Sequence, residues 1–332
     1  MKPSILLTGG AGFIGSHVAA AYVAAGYAVT ILDDLSTGRR DQVPPGARLV
    51  VGDVRTPEAR ALVAEGGFTL LNHHAAQIDV RMSVADPLSD ASMNVLGLLN
   101  LLQGARVGGV RRVILASSGG AIYGDGARLP TRESGTKLPA SPYGVAKLAS
   151  EYYLATFAQL YEIETVALRY SNVYGPRQRS DGEGGVVAVF SRRAHLGEPL
   201  TIYGDGEQTR DLVYVEDVAT ANLAASRCVA VRPSSIDSCA YNIGTGVETS
   251  VNQLASLIQQ SARRASPPPG TITHAAARAG EIRRSALSSE KAQRDLGWWP
   301  RHSLRDGVRA TVEWLAAAPH HQRRVTASRV SA

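Results

Sequence analysis

Apolar runs of four to seven residues alternate along this chain with longer stretches whose apolar positions recur at helical spacing. The short runs lie near residues 4–8, 28–32, 48–51, 69–72, 111–116 and 163–169, and each has the continuous hydrophobicity of a strand buried on both faces. Between them Phe13 to Ala25 is Ala-rich with an apolar face, Val145 to Leu160 runs apolar at a helical period, and a further long helix is expected at about 83–106. Strand and helix in strict alternation predict an α/β fold, a doubly wound parallel sheet. Beyond about residue 170 the alternation loosens, and the chain is expected to shuttle between the sheet and a smaller α/β cap. The expected boundaries are 1–172 for the sheet domain, which also receives segments near 211–230, 173–316 mainly for the cap, and 317–332 for a flexible tail. Ser266-Pro267-Pro268-Pro269-Gly270 marks a loop inside the cap.

Composition narrows the class. With 332 residues, 44% hydrophobic and 19% charged, the chain is ordinary for a globular protein of one large and one smaller domain. No apolar run reaches the roughly 18 residues of a membrane span. The first strand begins almost at once, leaving no room for a signal peptide. Two cysteines, Cys228 and Cys239, are too few for a disulfide framework, so a cytoplasmic location is expected. The net charge of +6 is spread along the chain and only 6% of residues are aromatic, which argues against nucleic acid. His73-His74 has no Cys, His or acidic partners at ligand spacing and reads as a strand end; no metal is expected.

The candidate chemistry lies in two places. Gly9, Gly10, Gly12 and Gly15 sit between the first strand and the first helix. Glycine there permits a tight turn, lets the backbone approach a pyrophosphate, and leaves the anion on free amides at a helix N-terminus. The second apolar run ends in Asp33, 18 residues after Gly15, near where an acidic side chain binds adenosine ribose hydroxyls in such units. An acid there repels a 2′-phosphate and favours NAD, although Thr37, Arg39 and Arg40 follow closely. Far downstream, Ser141-Pro142-Tyr143 reads as a helix start, with Ser as the cap and Pro in the first turn. Tyr143 and Lys147 then lie four apart on one face. A phenol of pKa ~10 is a poor base at neutral pH, and an adjacent ammonium favours its phenolate.

These residues resemble a known family. TGGAGFIGSH (8–17), HHAAQIDVRMSVADP (73–87), SSGGAIYGD (117–125), SPYGVAK (141–147), LRYSNVYGPRQ (168–178) and TRDLVYVEDVA (209–219) are similar, in this order, to the extended short-chain dehydrogenase/reductases. Within these the match is to the NAD-dependent epimerase/dehydratase family, and most of all to its UDP-glucose 4-epimerase group. The resemblance runs from about residue 4 to about 315 and implies a Rossmann-like sheet, a C-terminal substrate-binding cap, bound NAD and a UDP-sugar substrate. It implies further that Gly9, Gly12, Phe13, Ile14 and Gly15 line the pyrophosphate and that Asp33, Asp34, Ser36, Thr37 and Gly38 surround the adenosine ribose. Asp53 and Val54 fall at the adenine edge, and Ala75, Ala76, Gln77, Asn94 and Tyr170 along the central cofactor. Tyr143 and Lys147 fall at the nicotinamide ribose and the reacting hydroxyl. Asn172, Gly185, Val186, Tyr203, Arg210, Arg278 and Glu281 match positions that hold the substrate. The helices at about 83–106 and 143–161 resemble those that pair subunits, which implies a homodimer.

One departure stands out. Many members place Ser or Thr four residues before Tyr123, where it hydrogen-bonds the sugar 4-hydroxyl; this chain has Gly119. A water, Ser118 after a backbone shift, or nothing stands in its place, and Ser118 is the candidate third catalytic residue. Dehydratases and UDP-glucuronate decarboxylases of the family carry an acidic residue where this chain has Gly120 and Ala121, so elimination lacks a proton carrier. Ser285 falls where some epimerases carry a bulky tyrosine, which would admit N-acetylated sugars; it is equally a plain loop residue. The expected function is NAD-dependent 4-epimerisation of a UDP-hexose through a 4-keto intermediate. A UDP-glucuronate 4-epimerase or another sugar-nucleotide oxidoreductase is the alternative, and a non-catalytic NAD-sensing protein the second.

Overall fold

The computed structural model describes residues 2–180, 185–229, 231, 233–263, 267–277 and 282–317. Thirteen strands are described: β1 Ser4–Thr8, β2 Ala28–Asp33, β3 Ala47–Val51, β4 Leu70–His73, β5 Arg112–Ser118, β6 Glu164–Tyr170, β7 Asn172–Tyr174, β8 Leu200–Tyr203, β9 Thr209–Arg210, β10 Leu212–Tyr214, β11 Ala240–Ile243, β12 Thr249–Ser250 and β13 Ile272–Ala275. Seven form one parallel sheet in the order β11-β6-β5-β4-β1-β2-β3. The order reverses between β1 and β4, and the crevice at the carboxyl ends of strands there is where such sheets take ligands.

Both faces of the sheet are covered, which is why its strands read as unbroken apolar runs. Ile5, Leu7, Ile31, Leu70 and Ile114 pack with α1 (Phe13–Ala24) in one core, joined by residues of a later helix, Val215–Arg227. Leu6, Leu32, Leu71, Val113 and Leu115 pack on the other face with α2 (Pro57–Glu65). The same core takes in Leu98 and Leu101, and Leu154 and Phe157. A third core of Val187, Phe190, Leu200, Ile202, Leu254, Ile258 and Val308 builds the cap, where β8 pairs with β13 and β9 with β12.

The six expected strands coincide with β1 to β6, and the sheet has a seventh, β11, from the later half. The expected helix at 83–106 is interrupted. It is built from α3 (Val80–Ala85), α4 (Pro87–Ala91), a π-helical turn at Ser92–Leu96 and α5 (Gly97–Val107). Asp86 explains the break: its side chain caps Ser89 N at 3.0 Å, and Pro87 occupies the first turn of the next helix. Cys239 is buried, Cys228 half-buried, and both are free thiols. Among the described residues no helix is long and apolar enough to cross a membrane.

Candidate active site

The glycine loop is tight for reasons of space. Gly9 has φ +68°, and a Cβ there would lie 2.6 Å from Ala75 N; a Cβ at Gly15 would lie 2.1 Å from Gly9 O. The loop therefore closes onto the end of β4, and Thr8 Oγ1 accepts from Ala75 N at 3.2 Å. Gly12 caps α1 without any side-chain hydrogen bond, leaving the amides of the first turn, including those of Phe13 and Ile14, to an anion. Asp33 is buried at the end of β2, where Ala11 N and Leu35 N each donate to it at 2.9 Å. Burial raises its pKa. Gly38 lies against it, for a Cβ there would sit 2.6 Å from Asp33 Oδ1. Asp34 accepts from Ser36 N and Oγ, at 2.9 and 2.6 Å, so the segment 33–38 that carries Thr37 is folded around two carboxylates. Asp53 is salt-bridged to Arg55, while Val54 is buried against Gly97. A loop too close for side chains, an uncapped helix start and a carboxylate at the second strand fit a dinucleotide with a free ribose.

Beyond Ala75 and Ala76 the chain is pinned by amides. Asn94 Oδ1 accepts from Gln77 N at 3.0 Å, and Asn94 Nδ2 donates to Gln77 O and to Asp90 Oδ1, both at 2.9 Å. Asn94 lies in the π-helical turn, a local widening that often marks functional sites. Tyr170, at the end of β6, accepts from Asn222 Nδ2 at 2.9 Å and lies 3.2 Å from His74 Nε2. His73 ends β4, and burial, with Lys147 nearby, holds both His73 and His74 down to about 3, so both rings are neutral.

The catalytic candidates meet where the short α6 (Gly119–Ile122) packs on the start of α7 (Pro142–Tyr161). Ser141 caps it, accepting from Gly144 N at 3.2 Å, with Pro142 in the first turn. Lys147 is buried, its Nζ donating to Ala116 O at 3.0 Å and lying 5.8 Å from the centre of the Tyr143 ring. Burial brings its pKa down to about 8, with Asp90 and Glu151 opposing. Desolvation pushes the Tyr143 phenol up to about 12, and a hydrogen bond from Ser118 pulls the other way by favouring the phenolate. Of the three stand-ins for the missing hydroxyl at 119, Ser118 is the one the structure places close enough to act on the tyrosine. Gly119 has no room for a side chain: a Cβ there would lie 2.5 Å from Leu287 Cδ1, and Leu287 is 1% exposed.

Toward the cap, Asn172 starts β7 beside this loop, its Oδ1 4.0 Å from where a Cβ on Gly120 would sit. Gly185 caps α8 (Val186–His195), whose first residue is Val186, Tyr203 ends β8, and Arg210 ends β9 with Nη1 donating to Thr209 O at 2.8 Å. Arg283 is paired with Asp205 at 2.8 Å and Arg284 with Glu248 at 2.5 Å, both on the surface. Arg278 and Glu281 lie outside the described residues, as do Ser266 and residues 318–332. Among the described residues no group of three or more His, Cys, Asp or Glu is placed to hold a metal.

Sequence reading passed over three residues. Asp90 is buried, with Oδ2 lacking a hydrogen-bond partner among the described residues, and it acts electrostatically on both Tyr143 and Lys147. Its spacing of four from Asn94 was the available signal. Glu151 repeats the spacing of Tyr143 and Lys147 for one more turn, and Arg169 is a charge inside an apolar strand. Both are buried.

Comparison with known proteins agrees with this geometry. The model of the NAD dependent epimerase/dehydratase family matches residues 5–244. A UDP-glucose 4-epimerase of Mycolicibacterium smegmatis is 40% identical over 315 residues, covering 93% of this chain and 97% of its own. The crystal structure of the Thermotoga maritima UDP-glucose 4-epimerase with UDP-glucose superposes with a TM-score of 0.88 at 40% identity, covering 94% of this chain and 98% of that one. The Thermus thermophilus UDP-glucose 4-epimerase in complex with NAD gives 0.86 at 39% identity, covering 95% and 100%. A glycine loop shaped for a dinucleotide, a Tyr-Lys pair near it, a family model over residues 5–244 and relatives matched almost end to end make this chain a member of the NAD dependent epimerase/dehydratase family.

Proposed function

We propose that this enzyme interconverts the C4 epimers of a UDP-hexose, UDP-glucose and UDP-galactose first, by transient oxidation to a 4-keto sugar. The observation that carries the reading is Tyr143 flanked by Ser118 and Lys147 at the mouth of the dinucleotide loop, with no acid at Gly120 or Ala121. NAD, which the glycine loop and Asp33 would hold, would supply a reversible acceptor for the hydride of sugar C4. Tyr143 removes the 4-hydroxyl proton and gives it back. The buried ammonium of Lys147 favours the phenolate, and Ser118 orients it. Loss of solvation alone keeps the phenol protonated at neutral pH, so its activation depends on positive charge beside it. With Gly and Ala where a dehydratase needs an acid, proton removal at C5 has no agent, and the 4-keto sugar is only turned over and reduced.

Asn172, Gly185, Val186, Tyr203 and Arg210, with Arg278 and Glu281, are assigned to the UDP-sugar, and residues 173–316 mainly to the half that carries it. Ser285 in place of a bulky side chain supports admission of N-acetylhexosamine forms. A homodimer is supported by the apolar side chains left exposed along the two helical stretches, Val84, Leu88, Leu96, Tyr152 and Leu160 among them. A cytoplasmic location is supported by two free thiols.

The test is an assay of UDP-galactose, UDP-N-acetylgalactosamine and UDP-glucuronate with the wild type and Tyr143→Phe. A 4-epimer from the first, lost in the variant, is expected, and the wild type should purify with NAD. No 4-epimer from any of the three overturns the reading.

A further inference from the structure

Three residues of α7, one per turn, hold three successive residues at the end of β5. Lys147 Nζ donates to Ala116 O at 3.0 Å and Glu151 Oε1 accepts from Ser117 Oγ at 2.5 Å, and Tyr143, one turn before Lys147, has Ser118 acting on its phenol. The spacing of four puts 143, 147 and 151 on one helix face. Glu151 is therefore built into the same row as the catalytic pair, although it does not reach the reacting atoms.

Arg169 holds Glu151 in place. It pairs directly with Ser117 in the β5–β6 register, is 0% exposed, and donates from Nε and Nη2 to Glu151 at 3.0 and 2.6 Å. Its Nη1 donates to Tyr123 Oη at 3.0 Å and to Glu133 O at 3.1 Å, and Nη2 donates to Asp237 Oδ1 at 2.8 Å. Tyr123 in turn donates to Asn242 Oδ1 at 2.8 Å. One ion pair thus grips Ser117 before the Gly119-Gly120-Ala121-Ile122 turn and Tyr123 after it. Two glycines give this turn wide backbone freedom. Something must restrict it if Ser118 is to substitute for a hydroxyl at 119. We infer that Glu151, oriented by Arg169, is a positioning residue that fixes the end of β5 so that Ser118 meets Tyr143.

This inference rests on the epimerase reading and deepens it. The charged and titratable groups facing Lys147 are Asp90 from α4, Tyr143 and Glu151 from α7, the neutral His73 at the end of β4 and the neutral His74 just after it. Removing the Glu151 charge takes away one of the two anions that support the ammonium. The alkaline limb of the kcat profile then moves to lower pH, an effect that a purely structural role for Glu151 would not produce.

The experiment compares the wild-type holoenzyme with Ser117→Ala, Glu151→Gln and Glu151→Asp, measuring kcat and KM for UDP-galactose from pH 6 to 10. Ser117→Ala, which deletes one hydroxyl, is expected to lower kcat about tenfold, with KM within twofold and NAD still bound. Glu151→Gln is expected to shift the alkaline limb to lower pH. Glu151→Asp restores the limb but not kcat, because the shorter side chain no longer reaches Ser117. If Ser117→Ala keeps kcat within twofold of wild type, the inference is overturned whether or not the Glu151 variants fold, and an unmoved limb in folded Glu151→Gln overturns it too. An inactive wild type overturns the functional reading and this inference with it, whereas an active wild type beside an unaffected Ser117→Ala overturns this inference alone.

Discussion

Installing the hydroxyl that many family members carry, by Gly119→Ser, should harm this enzyme. The new Cβ would come within 2.5 Å of Leu287 Cδ1 and 3.0 Å of Cδ2, inside a cluster with Ile122 and Tyr123 where Leu287 cannot move into solvent. Overpacking of this kind costs about 1–3 kcal/mol. For 332 residues the unfolding entropy is about 0.7 kcal/mol per degree, so Tm should fall by about 1–4 °C. Leu287→Ala alone leaves a cavity costing about 2–5 kcal/mol. Together the two changes should cost less than their sum, by about 1–3 kcal/mol, because the serine occupies the space the leucine leaves. The assay is thermal unfolding of the four proteins in parallel with kcat for UDP-galactose. With Tyr143 oriented by Ser118 as proposed, Gly119→Ser should give no gain in kcat. A Gly119→Ser protein as stable as wild type and faster would refute both the packing argument and the role given to Ser118.

Four further outcomes follow from the same geometry. Ser118→Ala removes one neutral hydrogen bond, worth about 1 kcal/mol, so kcat should drop about fivefold with bound NAD unchanged, read by turnover and by cofactor released on denaturation. Lys147 has its folded pKa lowered to about 8, so between pH 8 and 10.5 the unfolded chain holds a proton that the folded one does not. Raising pH through that window should therefore stabilise the wild type relative to Lys147→Met by about 3 kcal/mol, checked by unfolding both proteins across it. Asp33→Ala strands the amides of Ala11 and Leu35, at about 1–3 kcal/mol each, and the purified protein should carry far less NAD by absorbance of the denatured extract. Arg169→Met leaves Glu151 as an unpaired buried anion and should cost about 3–5 kcal/mol in denaturant unfolding, with much of the loss recovered when Glu151→Met is added.

What the sequence disclosed was local. The glycine loop, Asp33 at the end of the second run and the Tyr143–Lys147 spacing each depend on residues close along the chain, where period and turn chemistry decide the outcome. The broken helix was also written locally, in Asp86-Pro87, but a long apolar period masked it. Other features depend on partners remote in sequence. Ala240–Ile243 is four residues of mixed character, and only pairing with β6 makes it a strand. The bare backbone at 119 is explained only by Leu287, remote in sequence, filling the space where a side chain would go. Arg169 looks misplaced in an apolar strand until Glu151 and Asp237 are brought to it.

The seventh strand has a consequence for how the molecule can be divided. Because β11 covers β6, cutting after residue 172 would leave the row of N–H and C=O groups along β6 open, an edge prone to pairing with other chains. The same cut would strip Tyr123 of Asn242 and Arg169 of Asp237. The main sheet is thus completed by a strand synthesised after much of the later chain, so residues 1–172 cannot close their sheet on their own as they emerge.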